Sequence, residues 1–342
     1  MSRPLAWIAA LALVAALPWI DLMLPPYWRL GGDVGPILEL AIAALGLNLL
    51  VGNAGLLNLG SAAFVAVGAY AFSILTTVVY PFQIGIAGGT IGAMAIAALV
   101  GYVIAAPTLR LRGDYLAIVT LGFGEIAKDL VTNLDVITSG AEGLTLEPLT
   151  GQRAWLWPYY LALAILAVLV VALTNLDHSR FGRALAAVRE DELAASASGV
   201  PAQRAKLWAF LGCAALCGLY GALYANRLRF SGLPTNYDFQ LSLVILSAVI
   251  LGGMGSIPGV ILGAFIIGGL NSIVLGKVGD LLVHLGLPND SNSLASPSNW
   301  KFLIFGLCLI LMMRFRPAGL IPARRLPAPP RAKPDGAAHG SA

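Results

Sequence analysis

The sequence predicts an all-α, polytopic membrane protein of about ten transmembrane helices, with glycine-broken or re-entrant segments and one polar cytoplasmic helix. Three observations predict it. Only 11% of the 342 residues are charged and 58% are hydrophobic, against about 25% charged in a soluble domain, so the chain cannot clothe a water-facing surface. Its apolar runs are repeatedly about 20 residues long, the length that carries an α-helix through the hydrocarbon core. The alternating ten-residue strands of a membrane barrel do not occur in the sequence, and a helix satisfies its own backbone in lipid.

A window of about 19 residues picks out the spans in order. Leu5–Leu24 and Val34–Gly52 come first, and the glycine break "GNAG" leads into Leu56–Tyr80 and Phe82–Ala106. Tyr115–Asn133 is more polar, with Glu125, Lys128 and Asp129. Trp155–Asn175 and Leu207–Asn226 bracket a charged stretch, and Phe239–Leu251, Ile257–Leu275 and Trp300–Arg314 complete the set. The first run continues through Pro18 without a small-x-small cleavage site, so it reads as a retained span. Residues 1–320 thus form one transmembrane domain that includes a cytoplasmic segment at 176–206. The Pro- and Ala-rich stretch 321–342 has no apolar period and reads as a disordered cytoplasmic tail.

Orientation follows from the basic residues. With the N-terminus inside, the cytoplasmic segments hold Arg3, Arg110, Arg112, five between Ser179 and Lys206, and six from Arg314 onward. Fourteen inside against six outside obeys the positive-inside rule, and an even number of spans returns both termini to the cytoplasm. The outer loops "DVITSGAEGLTLEPLTGQR" and "VGDLLVHLGLPNDSNSLASPSN" are long enough to form small structured caps. A weak internal repeat pairs Gly52 with Gly252, Gly55 with Gly255 and Gly68 with Gly268. Gly-interrupted spans in repeated halves flank the substrate path in many transporters.

Other classes of function lack their signatures. No clustered basic face suits nucleic acid. Cys213, Cys217 and Cys308 sit in apolar runs as small core residues, and His178, His284 and His339 have no ligand spacing, so neither a metal nor another cofactor is expected. No Ser/His/Asp, HExxH or paired-carboxylate constellation supports an enzyme. "LGGMGSIPG" is glycine-rich but lacks the Lys and Ser/Thr of a phosphate loop, and it reads as a tight cytoplasmic turn.

The charged stretch "SRFGRALAAVREDELAASASGV" is the informative one. Ser179 or Asn175 can cap a helix there, Gly199 suits a left-handed C-terminal position, and Pro201 can end it. Phe181, Leu185, Val188 and Ala195 fall at i, i+4, i+7 and i+14 of one helix, a narrow apolar stripe among charges. Each central charge costs about 2.5–3.5 kcal/mol in lipid, so this helix stays outside the bilayer. Its run "REDE" suits an anionic leaflet poorly, and the small mixed-charge stripe fits a protein groove better.

That string resembles the coupling segment of ABC-importer permeases, with Ala194 and Ala195 before Gly199 as in their Glu-Ala-Ala…Gly pattern and Glu192 displaced by one residue. Together with "GLNLLVGNAGLLNLGSAAFVAVGAY", "LRLRGDYLAIVTLGFGEI", "GAEGL", "VILGGMGSIPGVILGA" and "FRPAGL", it resembles the LivM-type permeases of branched-chain amino-acid importers, from about Ala41 to Leu320. Where that family has a Gly-Gly pair before "GL", this chain has "SGAEGL", and the related permeases of urea and short amides share nearly all these motifs. The resemblance implies a bacterial inner-membrane subunit with three kinds of partner: a second, LivH-like permease, two cytoplasmic ATPase subunits, and a periplasmic or lipid-anchored substrate-binding protein. It also implies that Arg183, Arg189, Glu190, Asp191, Glu192 and Gly199 form the ATPase-coupling surface.

Polar residues at membrane depth are the other candidates. Asn48, Asn53, Asn58 and Ser61, with Glu39, line the first glycine-broken pair, and Glu125 sits with Lys128 and Asp129 on a span. They either contact substrate along the translocation path or hold helices together by hydrogen bonds. An ion-coupled secondary transporter is the rival class, and it would use Glu39, Glu125 or Asp129 as its buried carboxylates.

Overall fold

A computed structural model of the chain describes residues 14–19, 31–147, 156–274, 277 and 297–323, apart from 78, 82, 110, 112 and 317. Its principal helices are α1 (Gly31–Asn48), α2 (Ser61–Thr76), α3 (Ile86–Thr108), α4 (Asp114–Asn133), α5 (Leu156–His178), α6 (Arg180–Glu190), α7 (Glu192–Ala197), α8 (Ala202–Leu228), α9 (Phe239–Gly252), α10 (Ile257–Gly269) and α11 (Pro297–Phe315). The β-structure among the described residues is a single antiparallel bridge, Thr145 to Phe230. Nine of the ten expected spans therefore have their helix. The other, Leu5–Leu24, lies outside the described residues except for the helical stretch 14–19, whose Val14 and Ala15 carbonyls accept from Tyr159 and Tyr160 of α5. Arg110, Arg112, the second outer loop from 278 to 296 and the tail beyond 323 also lie outside them.

Among the described residues, five stretches are long and apolar enough to cross a membrane: Gly32–Asn53, Ile86–Thr108, Leu156–His178, Ala202–Leu228 and Ile257–Val274. The helices α2 and α9 have 16 and 14 residues, about 24 and 21 Å at 1.5 Å per residue, short of a hydrocarbon core of about 30 Å. Both are the glycine-broken members. The first break follows a π-helical turn at Leu49–Asn53 and runs to Gly60, with Gly55 at φ +70°. The second is the turn 253–256, where Gly253 and Gly255 have φ +120° and +86°. Ser256 then caps α10 by accepting from Gly259 N at 3.3 Å.

The helix α8 forms the axis of the bundle, packing on α1, α2 and α3 and burying Ala209, Phe210, Cys213, Ala214 and Cys217 completely. Lipid gives apolar helices no hydrophobic reason to associate, so close backbone approach through small residues must supply the contact. The crossing with α2 shows it: a Cβ on Gly68 would sit 2.1 Å from Gly218 O, and one on Gly221 would sit 2.0 Å from Val65 O. On the next face a Cβ on Gly101 of α3 would sit 2.5 Å from Ala214 Cβ. Of the repeat-related glycines, Gly52 and Gly255 meet directly, whereas Gly68 packs on α8 and Gly268 on Ile37 of α1. The two breaks are thus spatial partners, while the flanking helices differ in their packing.

The bundle has two unlike ends. One carries α6, α7 and both breaks, and there Leu320 N and Ile321 N donate to Leu251 O and Gly252 O, answering the last carbonyls of α9. At the opposite end the described part of the first long loop, 135–147, is structured. It forms a helical turn at Asp135–Thr138, a 3-10 turn at Gly140–Glu142, and a strap in which Leu146 N donates to Arg229 O and Ser231 N to Leu144 O.

Enlarging Gly221 to Leu should cost at least about 1–3 kcal/mol by overpacking the α2–α8 crossing and lower the melting temperature in detergent. Gly122→Ala on α4, where a Cβ would meet nothing within 4 Å, should leave melting unchanged. Equal melting of the two variants would contradict this packing.

Candidate functional site

The polar segment folds as a hairpin of two short helices. Ser179 caps α6 by accepting from Gly182 N at 3.2 Å, and the helix buries Leu185 and Val188. Asp191 then ends it. The Asp191 backbone is extended and its carboxylate accepts from Leu193 N and Ala194 N at 2.9 and 3.0 Å, capping α7. This corrects the expectation of one continuous helix with Ala195 at i+14. A short acidic side chain satisfies two amides that a new helix start leaves bare, and so competes with continuation. Ala195 is still buried, because the joint turns α7 back so that Val188, Ala195 and Ala202 pack together. Gly199, at φ +85°, closes α7 with Gly199 N donating to Ser196 O and Val200 N to Ala195 O, the paired bonds of a glycine C-cap.

The six expected coupling residues therefore separate by task. Arg183 and Glu190 are exposed, and Arg183 Nη1 donates back to His178 O at 2.8 Å. Asp191 and Gly199 shape the turns. Glu192 pairs with Lys206 at 2.7 Å, which ties α7 to α8. Arg189 is exposed as well, but it lies across the first break and donates to the Gly52 carbonyl.

The candidate path residues fall into three places. Asn48 and Asn53 flank the π-helical turn. Asn48 Oδ1 accepts from Gly255 N at 2.7 Å, and Asn53 Nδ2 donates to Asp177 Oδ1 at 2.7 Å. Deeper in the bundle, the backbone opened ahead of α2 is answered by side chains. Gly60 N donates to Asn58 Oδ1 at 2.9 Å, Leu59 N to Thr120 Oγ1 of α4 at 3.1 Å, and Ala62 N to Ser242 Oγ of α9 at 2.9 Å. Ser61 lies among them fully buried, its hydroxyl without a hydrogen-bond partner. Glu125 stands apart, about 16 Å along α4 from Asp114 at 1.5 Å per residue. It is ion-paired to Lys128, with 41% of its side chain exposed.

Sequence reasoning missed Asp177, Thr120 and Ser242. Their signal is weak: one acid at the end of an apolar span, and hydroxyls inside others. Glu39 also proves to have a different place from the one expected. It is 1% exposed and accepts from Arg227 Nε at 2.9 and 3.1 Å, near the opposite end, where Arg227 lies over the Tyr224 ring at 5.6 Å. The two glutamates an ion-coupled carrier would call on are thus already held in ion pairs. Among the described residues no group of three His, Cys, Asp or Glu is placed to hold a metal.

A bundle of membrane-length helices, with two shorter ones ending at touching glycine turns and a polar helical hairpin at one end, is the architecture of a multi-span membrane protein. The chain belongs to the family described as "Branched-chain amino acid transport system / permease component", whose pattern matches residues 36–313. It is 35% identical to the high-affinity branched-chain amino acid transport system permease protein LivM of Salmonella typhimurium, with 83% of this chain and 68% of that protein covered. The LivM of Escherichia coli K12 is 36% identical with the same coverage. Similarity extends to LivH of Salmonella typhimurium, 26% identical over 82% of this chain and 90% of that one. No solved structure matches the chain.

Removing one partner of the Glu39–Arg227 pair leaves a buried charge alone, at a cost of about 3–5 kcal/mol, whereas replacing both by apolar groups is close to neutral. Arg227→Met should therefore melt well below the parent in detergent, and Glu39→Met with Arg227→Met should recover most of the loss. A double variant as unstable as the single one would contradict the pairing.

Proposed function

We propose that this chain is a permease subunit of an ATP-driven importer of branched-chain amino acids in a bacterial inner membrane. The similarity to LivM across most of the chain carries the reading. Because the chain resembles LivH as well, a LivH-like second permease is the natural partner. A binding protein outside delivers substrate, and two ATPase subunits inside supply the energy, since the sequence holds no phosphate loop of its own.

The α6–α7 hairpin is the docking surface for an ATPase subunit. Its free face presents Arg183, Glu190, Leu193, Ala194 and Ala197, and Leu193 is 73% exposed. A bare leucine needs a cover. The acidic neighbours Glu190 and Asp191 are repelled by an anionic leaflet, so a protein groove supplies it. The charge bias that puts this hairpin in the cytoplasm agrees.

The substrate path runs beside α4 and the break ahead of α2. Glu125 and Lys128 lie past the middle of α4 with 41% and 26% of their side chains exposed, and charges within a bilayer require protein or water rather than lipid. The second permease covers them. Asn48, Asn53, Asn58 and Ser61 shape the broken helix that borders the path.

Reconstitution in liposomes with the second permease, the ATPase pair and the binding protein should give leucine uptake that needs ATP and is not inhibited by urea. Leucine uptake driven by a proton gradient without nucleotide would defeat the reading. Leu193→Asp should reduce ATPase co-purification by about ten-fold, an affinity change of about 1.4 kcal/mol, with melting of the permease unchanged.

A further inference from the structure

We infer that Arg189 is a positioning residue: it joins the docking hairpin to both glycine breaks, so that residues 52–55 and 253–256 move with α6 as one unit. The inference rests on the ATPase-docking reading above, and it assigns Arg189 a task other than contact with the ATPase.

The geometry is specific. Arg189 Nη1 donates to Gly52 O in the π-helical turn. Its stem crosses the first break, where a Cβ on Gly55 would sit 3.0 Å from Arg189 Cγ, and its guanidinium borders the second, 3.3 Å from a Cβ on Gly255. The two breaks already touch. A Cβ on Gly52 would sit 2.5 Å from Gly255 N, and that amide donates to Asn48 Oδ1 at 2.7 Å. Beyond them Gly319 leans on Gly253, where its Cβ would sit 2.2 Å from Gly253 Cα.

A second link starts from the other side of the hairpin. Asp177, at the end of α5, accepts from Asn53 Nδ2. Asn53 is therefore held from α5, just ahead of the hairpin, while the far end of α6 holds Gly52. Of these two holds on adjacent residues, the one that links the break to the hairpin is Arg189.

Chemistry favours arginine at this point. A helix that stops at Asn53 leaves its last carbonyls without intrahelical donors, and a π-helical turn marks a place where register changes cheaply. Guanidinium is always charged and carries five donors in a fixed plane. One donor can stay on Gly52 O while the others meet carbonyls or water as the turn moves. Lysine reaches as a point charge and lacks the fork.

The test uses the full transporter with its ATPase pair and binding protein in liposomes, comparing Arg189→Gln, Arg189→Lys and the parent. The readouts are ATPase co-purification, nucleotide hydrolysis and leucine carried per nucleotide split. Arg189→Gln should keep the ATPase bound while leucine carried per nucleotide falls by about ten-fold, within the usual range of coupling factors; Arg189→Lys should fall between the two. Unchanged leucine per nucleotide overturns the proposal. So does loss of ATPase co-purification, which would make Arg189 a docking contact. Hydrogen exchange of the unaltered complex needs no variant: on adding nucleotide, the amides of 52–56 and 253–256 should change protection together, and a response in one turn alone overturns the coupling. A parent complex that shows no nucleotide-dependent uptake would instead count against the importer reading.

Discussion

Lipid supplies no hydrogen bonds, and a helix that stops inside a membrane bundle bares amides and carbonyls that something must answer. In this chain the answers come from other helices. Thr120 of α4, Ser242 of α9 and the local Asn58 meet the amides ahead of α2, Asn48 meets the second turn, and Arg189 meets the carbonyl at Gly52. Each break is therefore held by side chains, most of them from other helices. Polar residues that would be costly in a uniform apolar bundle become the means by which a broken helix is tolerated at all.

Close approach of backbones is the second requirement, and it explains where the glycines sit. The α2–α8 crossing at Gly68, Gly218 and Gly221 brings carbonyls within reach of neighbouring Cα atoms, so dispersion replaces the missing hydrophobic drive. The Glu39–Arg227 pair works differently. Its net contribution to stability is small after desolvation, yet its loss on one side is severe, so it fixes which faces of α1 and α8 meet.

Much of this architecture was legible because length and composition act locally. A 20-residue apolar run needs no neighbour to declare itself. The breaks were legible from Gly52, Gly55, Gly253 and Gly255, and the polar segment from its charges, though as one helix and not as a hairpin. What escaped were pairings. Asp191 looks like one more acid in "REDE" until its backbone is seen to be extended, and Arg189 looks like one more surface cation until Gly52 is placed beneath it. Glu39 follows a helical period that leads toward the first break, yet its partner lies 188 positions away in the chain. Contacts of that separation leave no periodic trace.

The 27 residues of α8 make a rod about 40 Å long at 1.5 Å per residue, as thick as a bilayer with its headgroups. It is lashed at both tips, by Glu192–Lys206 at one and by the Arg229–Leu146 and Leu144–Ser231 bonds at the other. A stiff strut secured in this way cannot absorb a push by shortening. Tilt imposed on one surface of the membrane must reappear on the other, or be spent in flexing at Gly212, Gly218 and Gly221, the three places along it that lack a side chain.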